Sequence, residues 1–275
     1  MCTLFSIGQV LKGRIGHYVI SKQLQETPVI VKSALNHPRV SNERDVLERF
    51  TGQSRYIRLL VDEIVEPAEE VTIVLRHLNS TVLRASISKT LTRTELKYVS
   101  RQIPGALRVV HGRVENRSSD VQLADFGGTL PVDHQHAREG AAVGAAIWRS
   151  PESLLGMLWG VERDIWSFGT LLISLIYGGD FNIFDPPGEF HVLRRQFQFF
   201  GPPPPKYAQL FVEQMMVERM LAIRENLRED VKPFRMITER EMCEADKRFI
   251  GWFMKIDLRD WSAAEEIMDH EWWGE

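Results

Sequence analysis

The chain has 275 residues, which is one large domain or two small ones at about 100–200 residues per domain. Hydrophobic residues make up 44% and charged residues 26%, an ordinary globular balance that argues against long disorder. Lys+Arg number 34 against Asp+Glu 37, so a net charge of −3 leaves no basic footprint for nucleic acid and no acidic tail.

Residues 1–13 carry no basic leader and no small-residue cleavage pattern, so they do not read as a signal peptide. Segments 5–11 and 18–24 are β-rich, separated by Lys-Gly-Arg-Ile-Gly at 12–16. Two readings fit that loop: a phosphate-covering loop, whose glycines let backbone N–H groups approach an anion, and an ordinary hairpin turn. Val29-Ile30-Val31 is a β-branched run closed by Lys32, either an ammonium aimed at phosphates or a lysine snorkelling off a strand end. Residues 42–50 place Val46, Leu47 and Phe50 at helical spacing, with Ser41 or Asn42 as N-cap and Glu43 on the helix. Strands are expected at 56–61 and 71–75, and a hinge at 75–79. Beyond residue 80 the pattern turns helical, over 93–111, 163–177, 190–200, 207–228 and 239–255. A strand-rich front before a helix-rich back predicts an α+β protein of two lobes, residues 1–78 and 79–275. The longest apolar stretch, near 171–177, is far short of the ~20 residues that span a bilayer. Cys2 and Cys243 are the only cysteines, which leaves no disulfide framework or Cys-rich zinc site. The expectation is an intracellular protein, in cytoplasm or nucleus, that binds neither nucleic acid nor membrane.

Val121-Gln-Leu-Ala-Asp-Phe-Gly127 reads as a strand running into Asp-Phe-Gly, a carboxylate beside a glycine that suits holding Mg²⁺ against phosphate oxygens. Further on come Arg149-Ser-Pro-Glu152 and Asp164-Ile-Trp-Ser-Phe-Gly169, the latter opening an apolar helix. Together these motifs resemble the eukaryotic protein-kinase family. Arg149 gives a similarity to fungal sequences near the SR-protein and related CMGC Ser/Thr kinases. The resemblance implies the bilobal kinase fold, a small β-rich N-lobe and a large helical C-lobe. It implies ATP with Mg²⁺ as cofactor and a protein partner or substrate. Val29-Ile-Val-Lys32 resembles the family's Val-Ala-Ile-Lys, which makes Lys32 the phosphate-contacting lysine and Glu43, eleven positions on, its ion-pair partner. Gly13 and Gly16 match two of three phosphate-loop glycines, and Leu11 stands at the first position. By the same likeness Leu75 is the gatekeeper, His77 presents backbone to an adenine, and Asp125 binds the metal.

Other parts of the pattern are absent. The family's His-Arg-Asp-x-x-x-x-Asn loop supplies the Asp that deprotonates the substrate hydroxyl. From His111 to Asp125 the chain is about a dozen residues shorter than that pattern, and no Asp stands where the base belongs. Val114-Glu115-Asn116 offers only a faint match to the Asn end. Ala145 replaces a Thr that bonds the catalytic Asp, and Trp261 replaces the arginine that pairs with the Glu of Pro-Glu. Glu152 therefore needs Arg259 as a substitute or more exposure than in the family. Asp164, the usual anchor of the missing loop, needs another partner.

Other candidates are His111, His134 and His136 near Asp133, read as a metal site or a solvated polar segment. Pro202 to Pro205 reads as a docking segment or a stiff connector. Trp252, Trp261, Trp272 and Trp273 read as packing for the last helices, with an exposed Trp272–Trp273 pair as a partner site. The function expected is a pseudokinase that binds ATP and acts through protein contacts. The alternative is an active Ser/Thr protein kinase whose catalytic loop is missing from a spliced or mis-assembled form.

Overall fold

The computed structural model describes residues 5–21, 28–35, 37–50, 53–67, 70–112, 121–178, 188–210, 214–227 and 232–275. They divide into two compact units, one drawn from residues 1–80 and 112–129, the other from 81–111 and 130–275.

In the first unit, β1 (Val10–Gly13), β2 (His17–Val19), β3 (Val29–Ser33), β4 (Leu60–Glu66) and β5 (Thr72–Arg76) form one sheet. Its order is β2-β1-β4-β5-β3 and every neighbouring pair is antiparallel. Strand alternation explains what each face does. Val29 and Val31 pack with Leu11, Ile64 and Val74 on one side, so Lys32 points to the other. β5 is buried on both faces, which is why Ile73-Val-Leu reads as an unbroken apolar run. Helix α1 (Arg39–Phe50) buries Val40, Glu43, Leu47 and Phe50, one stripe at three- and four-residue spacing.

Several boundaries move from expectation. α1 begins at Arg39, so neither Ser41 nor Asn42 caps it; Ser41 Oγ instead donates to the Pro38 carbonyl at 2.8 Å. The strand expected at 56–61 lies later, at β4, because Ile57 is drawn into a parallel bridge with Leu123. That bridge is all the strand character that residues 121–127 possess. Residues 22–24 of the second expected strand lie outside the described residues.

The second unit is helical: α2 (Val82–Ser88), α3 (Arg93–Val110), α4 (Gln135–Arg138), α5 (Pro151–Leu155), α6 (Glu162–Ile176), α7 (Glu189–Phe200), α8 (Gln214–Asn226), α9 (Glu244–Phe253) and α10 (Ala264–Asp269). α3 starts at a capping box in which the side chains of Thr92 and Glu95 each accept from the other's backbone N–H. α6 sits deepest, with Ile165, Trp166, Phe168, Leu172, Ile173 and Leu175 buried. The helix expected over 207–228 has a 3₁₀ turn at Pro205–Leu210 before α8, and Pro202 to Pro204 connect α7 to that turn. Trp272 is 1% exposed and stacks on Phe249 at 4.4 Å, so it is core and not an exposed pair with Trp273. Trp261 stacks on Trp166 at 5.9 Å. No helix among the described residues is long and apolar enough to cross a membrane.

Candidate functional site

Lys32 Nζ lies 2.5 Å from Glu43 Oε2 and 2.9 Å from Asp125 Oδ1, so β3, α1 and the segment after Leu123 converge on one ammonium. The short separation of Lys32 and Glu43 in sequence does not keep them apart, because Glu43 sits in the second turn of α1 facing the sheet. Burial pulls the Lys32 ammonium down, but the bonds to Glu43 and Asp125 outweigh it and hold it above the usual lysine range. Glu43 is 1% exposed, whereas the Asp125 side chain is 83% exposed. The pair thus joins a buried structural carboxylate to one open to a ligand. Arg58 adds a second cation: its Nε donates to the Arg76 carbonyl at 2.8 Å, and burial pulls its guanidinium below the usual arginine range against the opposing charges of Glu43 and Asp125.

Asp125 is the one described non-glycine residue with positive φ, at 67°. Aspartate tolerates that left-handed conformation better than most residues, and a 3₁₀ turn over Phe126–Gly128 follows directly. The segment is stapled to α1 by Asn42, whose Nδ2 faces the carbonyls of Phe126 (3.3 Å), Gly127 (3.2 Å) and Thr129 (2.9 Å). Gly127 packs tightly against α1, since a Cβ there would lie 3.2 Å from the Arg39 carbonyl oxygen. Asn42→Ala is expected to cost about 1–3 kcal/mol by orphaning these acceptors, read as a lower urea midpoint and faster amide exchange over residues 126–129.

A single exposed carboxylate beside an ammonium suits a hard cation that keeps most of its ligands as water and phosphate oxygens, as Mg²⁺ does. Asp125 would be its protein ligand, and Lys32 would face the phosphates. Among the described residues no group of three His, Cys, Asp or Glu is arranged to hold a metal by itself. His134 instead caps α4, accepting from the His136 N–H at 3.1 Å.

The glycine loop is a tight hairpin in which the Gly13 N–H donates to the Gly16 carbonyl at 2.7 Å. Its other N–H groups are engaged as well. Those of Arg14 (3.0 Å), Ile15 (3.0 Å) and Gly16 (3.1 Å) all donate to the carboxylate of Asp62, on β4. Leu75, at 0% exposure, faces Ile30 and Leu60 across the sheet, and His77 follows β5 half-buried.

In the second unit, Asp164 at the start of α6 meets His111, whose Nε2 lies 3.2 Å from Asp164 Oδ2 at the end of α3. Glu152 follows neither expected course. It is 1% exposed, and Arg259 is turned away in a two-pronged pair with Asp257 at 2.8 and 2.7 Å. Its Oε1 accepts from the Ser150 hydroxyl, and its Oε2 has no hydrogen-bond partner among the described residues. Burial accordingly raises the Glu152 carboxyl to about 7. The Arg149 guanidinium is consumed internally, by the carbonyls of Val143 and Gly144 and by Glu189 at 2.6 Å. Glu115 and Asn116 lie outside the described residues.

Sequence reasoning missed Asn42, Arg58 and Asp62 as site residues. Asn42 reads as an N-cap, and Asp62 is one of three acids on β4, beside Glu63 and Glu66, with nothing local to single it out.

Residues 5–225 match the family described as protein tyrosine and serine/threonine kinase. The serine/threonine-protein kinase pak-2 of Caenorhabditis elegans is 25% identical over 150 residues, covering 50% of this chain and 28% of that one. The serine/threonine-protein kinase PAK 4 of Homo sapiens is 23% identical over 215 residues, 74% of this chain and 31% of that one. A dual specificity protein kinase YAK1 homolog of Arabidopsis thaliana is 31% identical over 91 residues, 33% of this chain and 9% of that one. The chain therefore spans less than a third of the length of these relatives. Among solved structures, a chain of the yeast RNA Pol II CTD kinase CTDK-1 complex gives a TM-score of 0.70 over 90% of this chain and 86% of that one, at 16% identity.

Proposed function

The chain belongs to the protein tyrosine and serine/threonine kinase family, and from that premise we propose that it binds magnesium ATP without efficient phosphoryl transfer and acts by contacting another protein. The observation that carries the nucleotide half is Lys32 seated between Glu43 and Asp125. Glu43 fixes the direction of the ammonium, and Asp125, at the solvent end, is free to exchange Lys32 for a cation. Bound Mg²⁺ would supply charge neutralisation on the phosphate oxygens.

The other half rests on the short path from His111 to Asp125. General acid–base assistance is worth about 10²–10⁴-fold, and phosphoryl transfer depends mostly on aiming acceptor and phosphate at each other. No aspartate stands in the base position of that stretch, and Asp164 is occupied by the His111 imidazole. Kinship with the SR-protein and related CMGC kinases rests on Arg149 before Ser-Pro-Glu.

Magnesium ATP at millimolar concentration is expected to raise the melting temperature by ligand linkage. Lys32→Ala and, more gently, Asp125→Asn should each remove that rise; no shift in the wild-type chain would reject nucleotide binding. Label from γ-labelled ATP should stay off generic Ser/Thr substrates. Transfer that Asp125→Ala abolishes would replace this reading with an active Ser/Thr protein kinase.

A further inference from the structure

The turn of the glycine loop is a concave set of backbone donors, the kind of nest that binds an anion. Here the anion is already present. Asp62 Oδ1 accepts from Arg14 N–H at 3.0 Å, and Oδ2 accepts from Ile15 N–H at 3.0 Å, Gly16 N–H at 3.1 Å and the Tyr18 hydroxyl at 2.9 Å. The Glu63 N–H completes the set at 2.8 Å to Oδ1. Asp62 is 4% exposed, so this is a built, desolvated contact and not a passing surface bond.

Gly13 supports the same conclusion. Its φ is not positive, so turn geometry does not require glycine there. A Cβ at Gly13 would overlap the Asp62 carboxylate and lie 2.9 Å from the Tyr18 ring. The space that glycine leaves is therefore filled by Asp62. Gly16 shows no such overlap, its nearest neighbour being the Tyr18 hydroxyl at 3.6 Å from a Cβ.

We propose that Asp62 is an internal phosphate surrogate that fills the glycine loop, so that nucleotides engage this protein through Lys32 and Asp125 without phosphate contacts from the N–H groups of residues 14–16. The inference refines the nucleotide reading above, yet the filled loop is testable apart from it with inorganic triphosphate. Opening the nest should create an anion site, whereas removing charge while keeping it filled should not.

The experiment measures triphosphate binding to the wild-type chain, Asp62→Ala and Asp62→Asn by calorimetry. The Arg14 N–H keeps the Glu63 carbonyl at 3.0 Å, so the freed donors are the N–H groups of Ile15 and Gly16, and they should tighten Asp62→Ala binding by about tenfold or more. Asp62→Asn keeps the nest filled in volume, with its single amide oxygen left to accept from the Ile15 and Gly16 N–H groups, and should change affinity by less than about threefold. No gain in Asp62→Ala, or an equal gain in Asp62→Asn, overturns the proposal, the latter because charge alone would then explain it. If Asp62→Ala does not fold, the amide signals of Arg14, Ile15 and Gly16 in the wild-type chain decide the matter. They should not move with millimolar triphosphate, and movement overturns the filled loop. A gain in Asp62→Ala beside a wild-type chain that ignores ATP would reject nucleotide binding and leave the loop inference standing.

Discussion

Glu152→Gln is expected to abolish a loss of stability that the wild-type chain suffers between about pH 4.5 and pH 7. The Glu152 carboxyl is buried, its Oε2 lacks a hydrogen-bond partner among the described residues, and burial raises it from 4.5 to about 7. Below pH 4.5 folded and unfolded chains both hold the proton, so the residue contributes no pH dependence. Above that, the unfolded chain releases a proton that the folded chain keeps, and stability falls with rising pH. Beyond about pH 7 both forms are ionised and the penalty is constant, about 3 kcal/mol for a shift of this size. Urea melts at pH 4.5 and pH 8 should therefore show the difference between variant and wild type changing by about that amount in favour of glutamine. An identical pH dependence in both chains would mean that Glu152 ionises freely. The cause is tertiary: Trp261 stacks on Trp166 and Arg259 is committed to Asp257, so neither reaches Glu152 with a charge.

Lys32→Met should destabilise the first unit by about 2 kcal/mol, because it strands a carboxylate, Glu43, that is 1% exposed. The figure is taken below the range for fully buried pairs because Lys32 itself is 35% exposed and partly screened. Adding Glu43→Gln should recover most of the loss, since the double variant leaves no buried charge. Denaturant midpoints of the two single variants and the double variant check this. A strictly additive result would show that Lys32 and Glu43 do not share their energy. The cycle also separates structure from ligand contact: Asp125→Asn, at an exposed side chain, should leave stability nearly unchanged.

Local pattern made much of the fold legible. β-rich runs gave β3 and β5 closely, whereas β1 and β4 start later than the runs at 5–11 and 56–61 and β2 ends at Val19. Three- and four-residue apolar spacing gave α1, α3, α6 and α7 within a few residues, and α9 is shorter than the expected 239–255. Ordered short motifs carried Lys32, Glu43 and Asp125, and the structure brings these three side chains together. α1 starts three positions before Asn42, although Asn42 resembles a cap in sequence. Its amide is instead spent on carbonyls 84 to 87 positions away, which no local window contains. Residues 121–127 read as a strand by composition but have a single bridge partner at Leu123, and a strand exists only where a neighbour supplies its ladder.

By itself, then, the amino-acid sequence determined which residue types are available: a lysine closing an apolar strand, an Asp-Phe-Gly, and no aspartate in the base position. Tertiary structure decided which charges are satisfied and by whom. Asp62 reaches the glycine loop across 46 to 48 positions, His111 takes Asp164 across 53, and Glu152 is left buried with one unpaired oxygen. Hydrogen bonds and desolvation act over a few ångströms in space regardless of distance along the chain, so such pairings exist only once the backbone has folded.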